Sequence, residues 1–268
     1  MTQSEHPHLP ADTIGLKRFF VPIAEPLSNF PAELEVRDEF VVKHLATVIR
    51  AKPGESVIIT DAQREMAYLA QIQSLQKKAV IFTVMEPLAQ SPDPLPPITL
   101  AVALIKEQRW DWLLQKATEL GVRTIQPLFS ERCIIRLSAS DIPKKLERWG
   151  SVLRSAAEQS EGLFIPPLLP PISLAEFLAQ QAEPSQNSTQ KWVLMERGET
   201  RQPLKNCLAQ AQSDQSIFLA IGPEGGWTAS EQNRFEESGF QSVSIGQRIL
   251  RSETAAIAAI SAIVSEFI

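Results

Sequence analysis

Short hydrophobic runs in the first third of the chain predict a series of strands. The runs lie at 17–21, 56–60, 67–72 and 79–84. Over 38–50, apolar side chains and one histidine recur at helical spacing, which predicts a short helix. Its predicted inner face carries Val41, His44, Leu45 and Val48. Several short strands in close succession are typical of a small barrel or sandwich.

Residues 86–97 predict a boundary between two domains. This stretch contains five prolines in twelve residues. Neither a helix nor a sheet tolerates that density, because proline lacks the N–H donor and fixes its own backbone angle. We therefore expect a stiff linker between a first domain, 1–90, and a second domain, 98–268.

The second domain alternates between apolar strand patterns and amphipathic helix patterns. The predicted strands lie at 98–105, 122–129, 191–196, 218–221 and 240–245. The predicted helices lie at 110–120, 142–158, 174–181, 204–212, from about 228 onward, and 255–267, with a surface loop at 183–189. Alternating strands and helices indicate an α/β domain whose mostly parallel sheet is covered on both faces.

The stretch from Phe218 to Glu231 is the most informative part of the chain. A buried strand is followed by Gly222-Pro-Glu-Gly-Gly226, which forces a turn and lets another molecule approach the backbone. Thr228 and Glu231 have the spacing of a capping box, so a helix should begin there. The unit predicts a ligand site at the carboxyl end of a strand, where open α/β sheets bind ligands.

A second unit of the same kind follows directly. The strand at 240–245 ends at Gly246, and a polar segment, 248–254, leads into a helix rich in alanine and isoleucine. Small residues on most faces of that helix indicate close packing against other backbone. Two consecutive strand ends, each with a glycine, could form one pocket.

Composition excludes several classes of protein. No apolar run approaches the roughly 20 residues of a membrane helix, and the first residues show no secretory signal pattern. Cys133 and Cys207 are too few for a disulfide framework, so we expect free thiols in a reducing cytoplasm. The histidines show no metal-ligand spacing with the cysteines, which argues against metal catalysis. The glycine motifs of dinucleotide-binding, P-loop and serine-hydrolase enzymes are absent.

Charge gives a mixed indication about nucleic acid. The formal net charge of −5 argues against it. Residues 101–160, however, contain ten Lys or Arg and seven Asp or Glu, a net +3. On this count alone, an ordinary solvated surface is the simpler interpretation.

Four segments in order resemble the bacterial 16S ribosomal RNA (uracil-N3)-methyltransferases of the SPOUT superfamily. They are Gln115-Lys-Ala-Thr-Glu-Leu-Gly-Val122, Ala157-Glu-Gln-Ser160, Ile221-Gly-Pro-Glu-Gly-Gly226 and Leu250-Arg-Ser-Glu-Thr-Ala255. Their order and spacing match along 98–268, and together they are far more specific than the glycine motif alone. His44 with Val48-Ile-Arg50 resembles the small RNA-binding barrel of that family. Where the family usually has Arg two residues after Gln-Ser, this chain has Gly162.

The resemblance implies a trefoil-knotted α/β domain, a small PUA-like barrel, and a homodimer acting on 16S ribosomal RNA or the 30S subunit. It also implies S-adenosylmethionine as cofactor, bound by the loops 194–198, 221–226 and 245–255. The cofactor-binding candidates are Leu194, Glu196, Ile221, Gly222, Pro223, Glu224, Gly225, Gly226, Ile245, Gly246, Ile249, Leu250, Thr254 and Ala255.

Methylation of uracil N3 requires loss of its proton, which a nearby arginine would favour by stabilising the anionic ring. The catalytic candidates are Arg248, Arg251 and Glu253, with Arg251 expected as a buried cation facing the ring. The RNA-binding candidates are Lys17, Arg18, His44, Arg50, Lys116, Arg132 and Arg154.

Structural roles remain open for several of these residues. Glu224 could only orient the glycine loop, Arg251 and Glu253 could form a structural ion pair, and Lys116 with Glu119 could be a solvated helix face. Trp110, Trp112, Trp149 and Trp227 are better explained as core or dimer-interface residues than as base-stacking platforms. The alternative functions are a SPOUT enzyme acting on transfer RNA, a non-catalytic ribosome-assembly protein, and an α/β enzyme that binds phosphate at the glycine loop.

Overall fold

The computed structural model describes residues 13, 15–89, 94–181, 189–196 and 201–268. Its contacts divide the chain into two compact units. Unit 1 contains the chain up to Asp93 together with Ala157–Ile165, and unit 2 contains Pro94–Ala156 and Pro166–Ile268. Part of the predicted linker, 90–93, and most of the predicted loop at 183–189 lie outside the described residues.

Unit 1 is built on a five-stranded sheet. Its strands are β1 (Arg18–Phe20), β2 (Ala32–Val36), β3 (Ser56–Asp61), β4 (Met66–Leu75) and β5 (Val80–Pro87). The order is β1-β3-β4-β5-β2, with β1 and β3 parallel and the other pairs antiparallel. The four predicted strands are present, and β2 was missed although Glu33 and Glu35 alternate with its inward-facing residues in the pattern of a half-buried strand. The strand β5 continues to Pro87, into the stretch that we expected to be linker.

The predicted helix of unit 1 forms in two parts. It begins as α1 (Glu39–Lys43), where the Asp38 side chain accepts from the Val41 N–H, and continues as a π-helical turn, His44–Ile49. Arg50 ends it in the left-handed region, with φ of 53°. Val41 and Leu45 are buried in the core against the sheet, as their spacing predicted.

The segment 157–165 belongs to unit 1, which differs from the predicted boundary. Glu158 accepts a hydrogen bond from the Phe20 N–H at 3.2 Å. Leu163 packs against the small cluster formed by Ile58, Ala67 and Leu88. A boundary placed by proline density could not account for this return of the chain, because it depends on contacts between residues far apart in sequence.

Unit 2 contains a seven-stranded sheet whose pairs are all parallel. Its strands are β6 (Ile98–Ala103), β7 (Thr124–Phe129), β8 (Ile172–Ser173), β9 (Thr189–Leu194), β10 (Gln202–Pro203), β11 (Ser216–Ile221) and β12 (Gln241–Ser244). The order is β10-β12-β9-β11-β6-β7-β8. The predicted parallel α/β architecture is therefore confirmed, and only the two-residue strands β8 and β10 were missed.

Six helices accompany this sheet within the described residues. They are α2 (Glu107–Glu119), α3 (Ile142–Gln159), α4 (Leu174–Gln180), α5 (Leu204–Leu208), α6 (Ala229–Glu237) and α7 (Ser252–Phe267). The helix α5 is shorter than predicted, and α7 begins three residues earlier than expected, at Ser252. Among the described helices, none combines the length and the apolar character that a membrane span requires.

The tryptophans of unit 2 are mostly core residues. Trp110 and Trp149 lie with their ring centroids 5.3 Å apart, and both are buried, as is Trp227. Trp112 is the exception, with 44% of its surface exposed. A core role is therefore wrong for Trp112 within a single chain, because its position on α2 points away from the sheet.

Candidate functional site

Three adjacent strand ends define one cleft in unit 2. In the order β12-β9-β11, parallel pairing brings Leu194, Ile221 and Ser244 to the same edge of the sheet. The loops that follow line a cavity of about 170 Å³. One water needs about 10–15 Å³ by the same kind of measure, so the cleft has room for a ligand.

Most of the predicted cofactor-binding residues line this cleft. Those that do are Leu194, Glu196, Ile221, Gly222, Pro223, Gly225, Gly226, Ile245, Gly246, Leu250 and Ala255. Glu224, Ile249 and Thr254 are not part of the lining: Ile249 and Thr254 are exposed, and the Glu224 side chain contacts Arg109. Residues 197–198 of the first predicted loop lie outside the described residues.

The glycines of the loop after β11 are required by the protein itself. Gly226 has φ of +67°, a conformation that side-chain-bearing residues rarely adopt. A β-carbon on Gly222 would lie 3.2 Å from the Trp227 indole, which is buried. The sequence predicted a turn and close ligand approach at these glycines, and the structure adds the left-handed backbone of Gly226 and the packing of Gly222 against Trp227.

Buried groups behind this loop fix its conformation. The Trp227 ring contacts Phe235 at 4.8 Å between centroids, and Phe235 contacts Phe240 at 5.1 Å. The predicted capping box is present: the Thr228 hydroxyl accepts from the Glu231 N–H, and Glu231 accepts from the Thr228 N–H. The loop therefore leaves β11 and enters α6 in one well-defined arrangement.

Arg132, which we predicted as an RNA contact, lines the cleft instead. Its Nη1 donates to the Gly225 carbonyl at 2.9 Å, and its aliphatic part packs where a β-carbon on Gly225 would lie. Because it belongs to the segment after β7, Arg132 connects that segment to the glycine loop. An RNA role for Arg132 remains a prediction, and any such contact would be made beside the cleft.

Several lining residues were not named among the individual cofactor-binding candidates, although Met195, Arg248 and Ser252 lie within the predicted loops 194–198 and 245–255. Besides Arg132 and Arg248, they are Met195, Arg201, Trp227, Gln232, Ser244 and Ser252. Most are direct neighbours of predicted residues along the chain, so wider windows around each strand end would have found them. Gln232 is one turn into α6, where its amide donates to the Trp227 carbonyl at 3.2 Å, and no local signal marks it.

The three catalytic candidates occupy different environments. Arg248 and Arg251 are both exposed but only Arg248 lines the cleft, and Glu253 is buried with 6% exposure. The expectation of a buried Arg251 is therefore wrong for the single chain, because this residue precedes the first turn of α7 rather than entering the core. The alternative of an Arg251–Glu253 ion pair is also not observed, since Glu253 pairs with Arg109.

Arg109 was not among the predicted site residues. It lies in the first turn of α2, and its Nη1 is 3.4 Å from Glu224 Oε1. Its Nε is 3.6 Å from Glu253 Oε1. One guanidinium therefore contacts both the glycine loop and the start of α7.

The remaining RNA-binding candidates of unit 2 differ in their surroundings. Lys116 forms an ion pair with Glu119 at 2.7 Å, which is the solvated helix face considered as the alternative. Arg154 is half-buried on α3. Other basic residues of α3 are also paired: Lys145 and Arg148 contact carboxylates of α2. Because these carboxylates also lie within 101–160, the ion pairs leave its net charge of +3 unchanged, but they engage Lys116, Lys145 and Arg148.

The candidates of unit 1 also differ in exposure. Arg18 is buried at 7% exposure beside Glu161, and burial lowers the pKa of its guanidinium while the Glu161 charge raises it. His44 lies between the rings of Phe19 and Phe40, and burial lowers the pKa of its imidazole.

Exposure separates the last two unit 1 candidates from these. Lys17 and Arg50 are both exposed, so these two are the accessible cations among the four candidates in this unit. Burial holds the His44 pKa below its ordinary value, which favours the neutral imidazole in the chain without RNA.

Family models match both parts of the chain. A model described as an RNA methyltransferase domain matches residues 91–264. A model described as an RNA methyltransferase PUA domain matches residues 41–85. The first covers more than half of the chain and includes all of the cleft described above.

Individual relatives carry one shared name. The ribosomal RNA small subunit methyltransferase E of Mesomycoplasma hyopneumoniae is 34% identical over 240 residues, covering 90% of this chain and 95% of the relative. The protein of that name from Synechocystis is 34% identical over 223 residues, covering 82% of this chain and 69% of the relative.

Two solved structures share the fold over nearly the whole chain. The ribosomal RNA small subunit methyltransferase E of Neisseria gonorrhoeae, bound to S-adenosyl methionine, matches with a TM-score of 0.80 and 35% identity. The match covers 93% of this chain and 97% of that one. A methyltransferase of Legionella pneumophila, also with bound cofactor, matches with a TM-score of 0.81 and 29% identity over the same shares.

Proposed function

We propose that this chain, which belongs to the ribosomal RNA small subunit methyltransferase E family, methylates N3 of a uridine in 16S ribosomal RNA with S-adenosylmethionine. The observation that carries this proposal is the cleft itself. The segments that resemble the family, 221–226 and 250–255, come together at the carboxyl edge of a parallel sheet, where they line one cavity. A relative 35% identical over almost the whole chain binds the same cofactor.

The cleft suits this cofactor chemically. Apolar side chains of Leu194, Ile221 and Leu250 could pack against the adenine ring, and the Glu196 carboxylate could accept from ribose hydroxyls. A β-carbon on Gly226 would meet no protein atom closer than 3.9 Å, so the backbone there is open to a ligand. We propose that the fourteen predicted residues act through these three loops, with Glu224, Ile249 and Thr254 acting from outside the lining.

The cofactor, when bound, supplies an activated methyl group on a positively charged sulfur. The protein then has to hold uracil N3 in line with that methyl group, and positioning of this kind lowers barriers substantially. As the N–C bond forms, the S–C bond breaks and the sulfonium becomes a neutral thioether. The N3 proton leaves to a carboxylate or to water.

Arg248 is our preferred residue for stabilising the anionic ring. It lines the cleft, whereas Arg251 and Glu253 do not. One preorganised donor at a developing anion commonly contributes about 2–4 kcal/mol to the barrier. Arg251, exposed in a single chain, would take part only if a second copy completed the site.

We further propose separate roles for the two parts of the chain, one for methyl transfer and one for RNA binding. Residues 98–268, apart from the segment 157–165 that belongs to unit 1, would form the methyltransferase domain, with the segment 215–268 threaded through a loop as a trefoil knot. In support, β12 pairs with β9 rather than with β11, so the chain must cross β9 after leaving β11. Residues 1–90 would form a small barrel that binds RNA through Lys17, Arg18, His44 and Arg50. An experimental structure with an unthreaded connection would refute the knot.

A homodimer in the cytoplasm is also part of the proposal. The helix α7 leaves Ile257, Ala258 and Ala262 half-buried in a single chain, and small residues permit close packing with a second copy. Sedimentation at micromolar concentration should give twice the mass of the chain, and a monomer would contradict this expectation.

The decisive experiment measures methyl transfer and its position. Purified protein is incubated with labelled cofactor and 30S subunits from cells that lack it, and nuclease digests are analysed by mass spectrometry. We expect one 3-methyluridine in 16S ribosomal RNA, whereas methylation of transfer RNA alone, or no transfer, would refute the proposal.

Arginine variants test the chemistry on the same preparations. Arg248→Ala should reduce transfer by roughly 30- to 1,000-fold, the equivalent of about 2–4 kcal/mol, with a smaller effect on cofactor affinity. Arg251→Ala serves as the comparison at an exposed position three residues away. Equal activity of Arg248→Ala and wild type would remove Arg248 from the mechanism.

A further inference from the structure

Arg109 contacts two loops of the cofactor cleft without lining the cleft. It belongs to α2, the helix after β6, and its guanidinium is one-third exposed. Its Nη1 lies 3.4 Å from Glu224 Oε1, and its Nε lies 3.6 Å from Glu253 Oε1. We call these three residues the Arg109 cluster.

Both carboxylates of the cluster point away from the cleft. Glu224 is flanked by Pro223 and Gly225, which both line it. Glu253 follows Ser252, which lines it, and at about 100° per helical residue its side chain is on the side of α7 opposite to Ala255. The Arg109 cluster is therefore on the side of the glycine loop and of the first turn of α7 that faces away from the cleft, and it connects these two segments.

The carboxylates of Glu224 and Glu253 both rely on the positive charge of Arg109 for compensation. Glu253 is buried, and its Oε2 has no hydrogen-bond partner among the described residues. Without Arg109, a buried carboxylate would lose its ion-pair partner, and a second carboxylate, Glu224, would remain close by. Like charges repel most strongly where solvent is excluded, so the two loops would tend to separate.

We propose that Arg109 is a positioning residue for the cofactor cleft. By contacting Glu224 and Glu253 together, it fixes the separation between the glycine loop and the first turn of α7. The identity of the ligand, S-adenosylmethionine, rests on the proposed function. That Arg109 holds 222–226 against 250–255 is independent of the proposed function.

The chain offers a matched control in Arg148. Its guanidinium also contacts two carboxylates, Glu107 at 2.8 Å and Asp111 at 2.7 Å. Those carboxylates are on the same helix, α2, but neither Arg148 nor its partners line the cleft. Arg109→Met and Arg148→Met therefore remove the same kind of group, and only the first should affect the cleft.

The first measurement is cofactor affinity by calorimetry, with thermal unfolding on the same samples. Arg109→Met should weaken S-adenosylmethionine binding about 10- to 100-fold, the range found when residues that orient metal ligands from behind are removed. Arg148→Met should stay within about twofold, because surface ion pairs contribute little. Arg109→Lys should give an intermediate affinity, since an ammonium keeps the charge but loses the two separate, rigidly placed donors of the guanidinium. Glu224→Gln should weaken binding less than Arg109→Met, and the two changes combined should be less than additive.

The second measurement needs no cofactor. Hydrogen exchange of the amides in 222–226 and 250–256 should quicken in Arg109→Met but not in Arg148→Met. Unchanged affinity and exchange in a folded Arg109→Met, or equal losses in both methionine variants, would overturn the inference. If Arg109→Met does not fold, Arg109→Lys and Glu224→Gln carry the same test. A wild-type chain that transfers no methyl group to small-subunit RNA would refute the proposed function, while the exchange data would still decide the role of Arg109.

Discussion

Replacement of Gly226 separates two explanations for the glycine loop. Gly226 adopts φ of +67°, and its N–H donates to the Pro223 carbonyl at 2.9 Å, which closes the turn. A β-carbon at this position would meet only the Glu196 carboxylate, at 3.9 Å, which is an ordinary contact. The protein therefore requires glycine here for its backbone conformation, whereas a bound ligand would require it for space.

The size of the effect follows from the backbone angle. A left-handed conformation costs a residue with a β-carbon about 1–2 kcal/mol relative to glycine. If the loop keeps its conformation, that cost lowers stability by roughly 2–8 °C in melting temperature for a domain of 150–250 residues. If the loop relaxes instead, the same cost appears as a cofactor affinity lower by about 5- to 30-fold.

Three variants distinguish strain from ligand space. Asparagine tolerates the left-handed region better than alanine, and valine tolerates it worst because it is branched at Cβ. If backbone strain is the cause, Gly226→Asn should lose the least stability and cofactor affinity, Gly226→Ala more, and Gly226→Val the most. A ligand that fills the space beside Gly226 ranks them by size, with Ala least damaging. Melting temperature and calorimetric affinity for all three decide, and a milder Gly226→Ala than Gly226→Asn would refute the strain argument.

Two further predictions concern stability. Glu231→Ala should destabilise unit 2 by about 2–4 kcal/mol in urea unfolding, because its buried carboxylate accepts from the N–H groups of both Thr228 and Glu131. Glu236→Ala, an exposed change on the same helix, should have almost no effect. Equal losses of stability in the two variants would contradict the argument. The stability of unit 1 should fall as the pH falls below about 6.5, because burial lowers the His44 pKa and the unfolded chain then binds the proton more readily than the folded one. His44→Asn should reduce this dependence, and an unchanged pH profile would show that other groups cause it.

Local patterns in the sequence determined the elements of the fold. The helical spacing of Val41 and Leu45 placed both in the core, and the spacing of Thr228 and Glu231 marked the start of α6. These features depend on neighbours within one or two turns, so propensity and periodicity are sufficient to find them. The glycine loop was recognised for the same reason, because its turn-forming residues are consecutive.

The tertiary structure decided which elements meet. The cleft exists because β9 is the neighbour of both β11 and β12, an order that residue periodicity does not contain. It also decided directions: Glu253 faces away from the cleft, and Arg248 faces into it. Residues three or four apart in a helix share a face, but which face meets the cleft depends on how the whole helix is packed.

Sequence alone thus determined that the chain holds two glycine-bearing strand ends of an α/β enzyme and resembles a family of RNA methyltransferases. Only the tertiary structure placed Arg109 beside Glu224, a residue 115 positions away. Only the structure returned the segment 157–165 to unit 1. Such pairs form because burial and charge compensation are satisfied across the whole fold, and interactions of that range leave no periodic trace in the sequence.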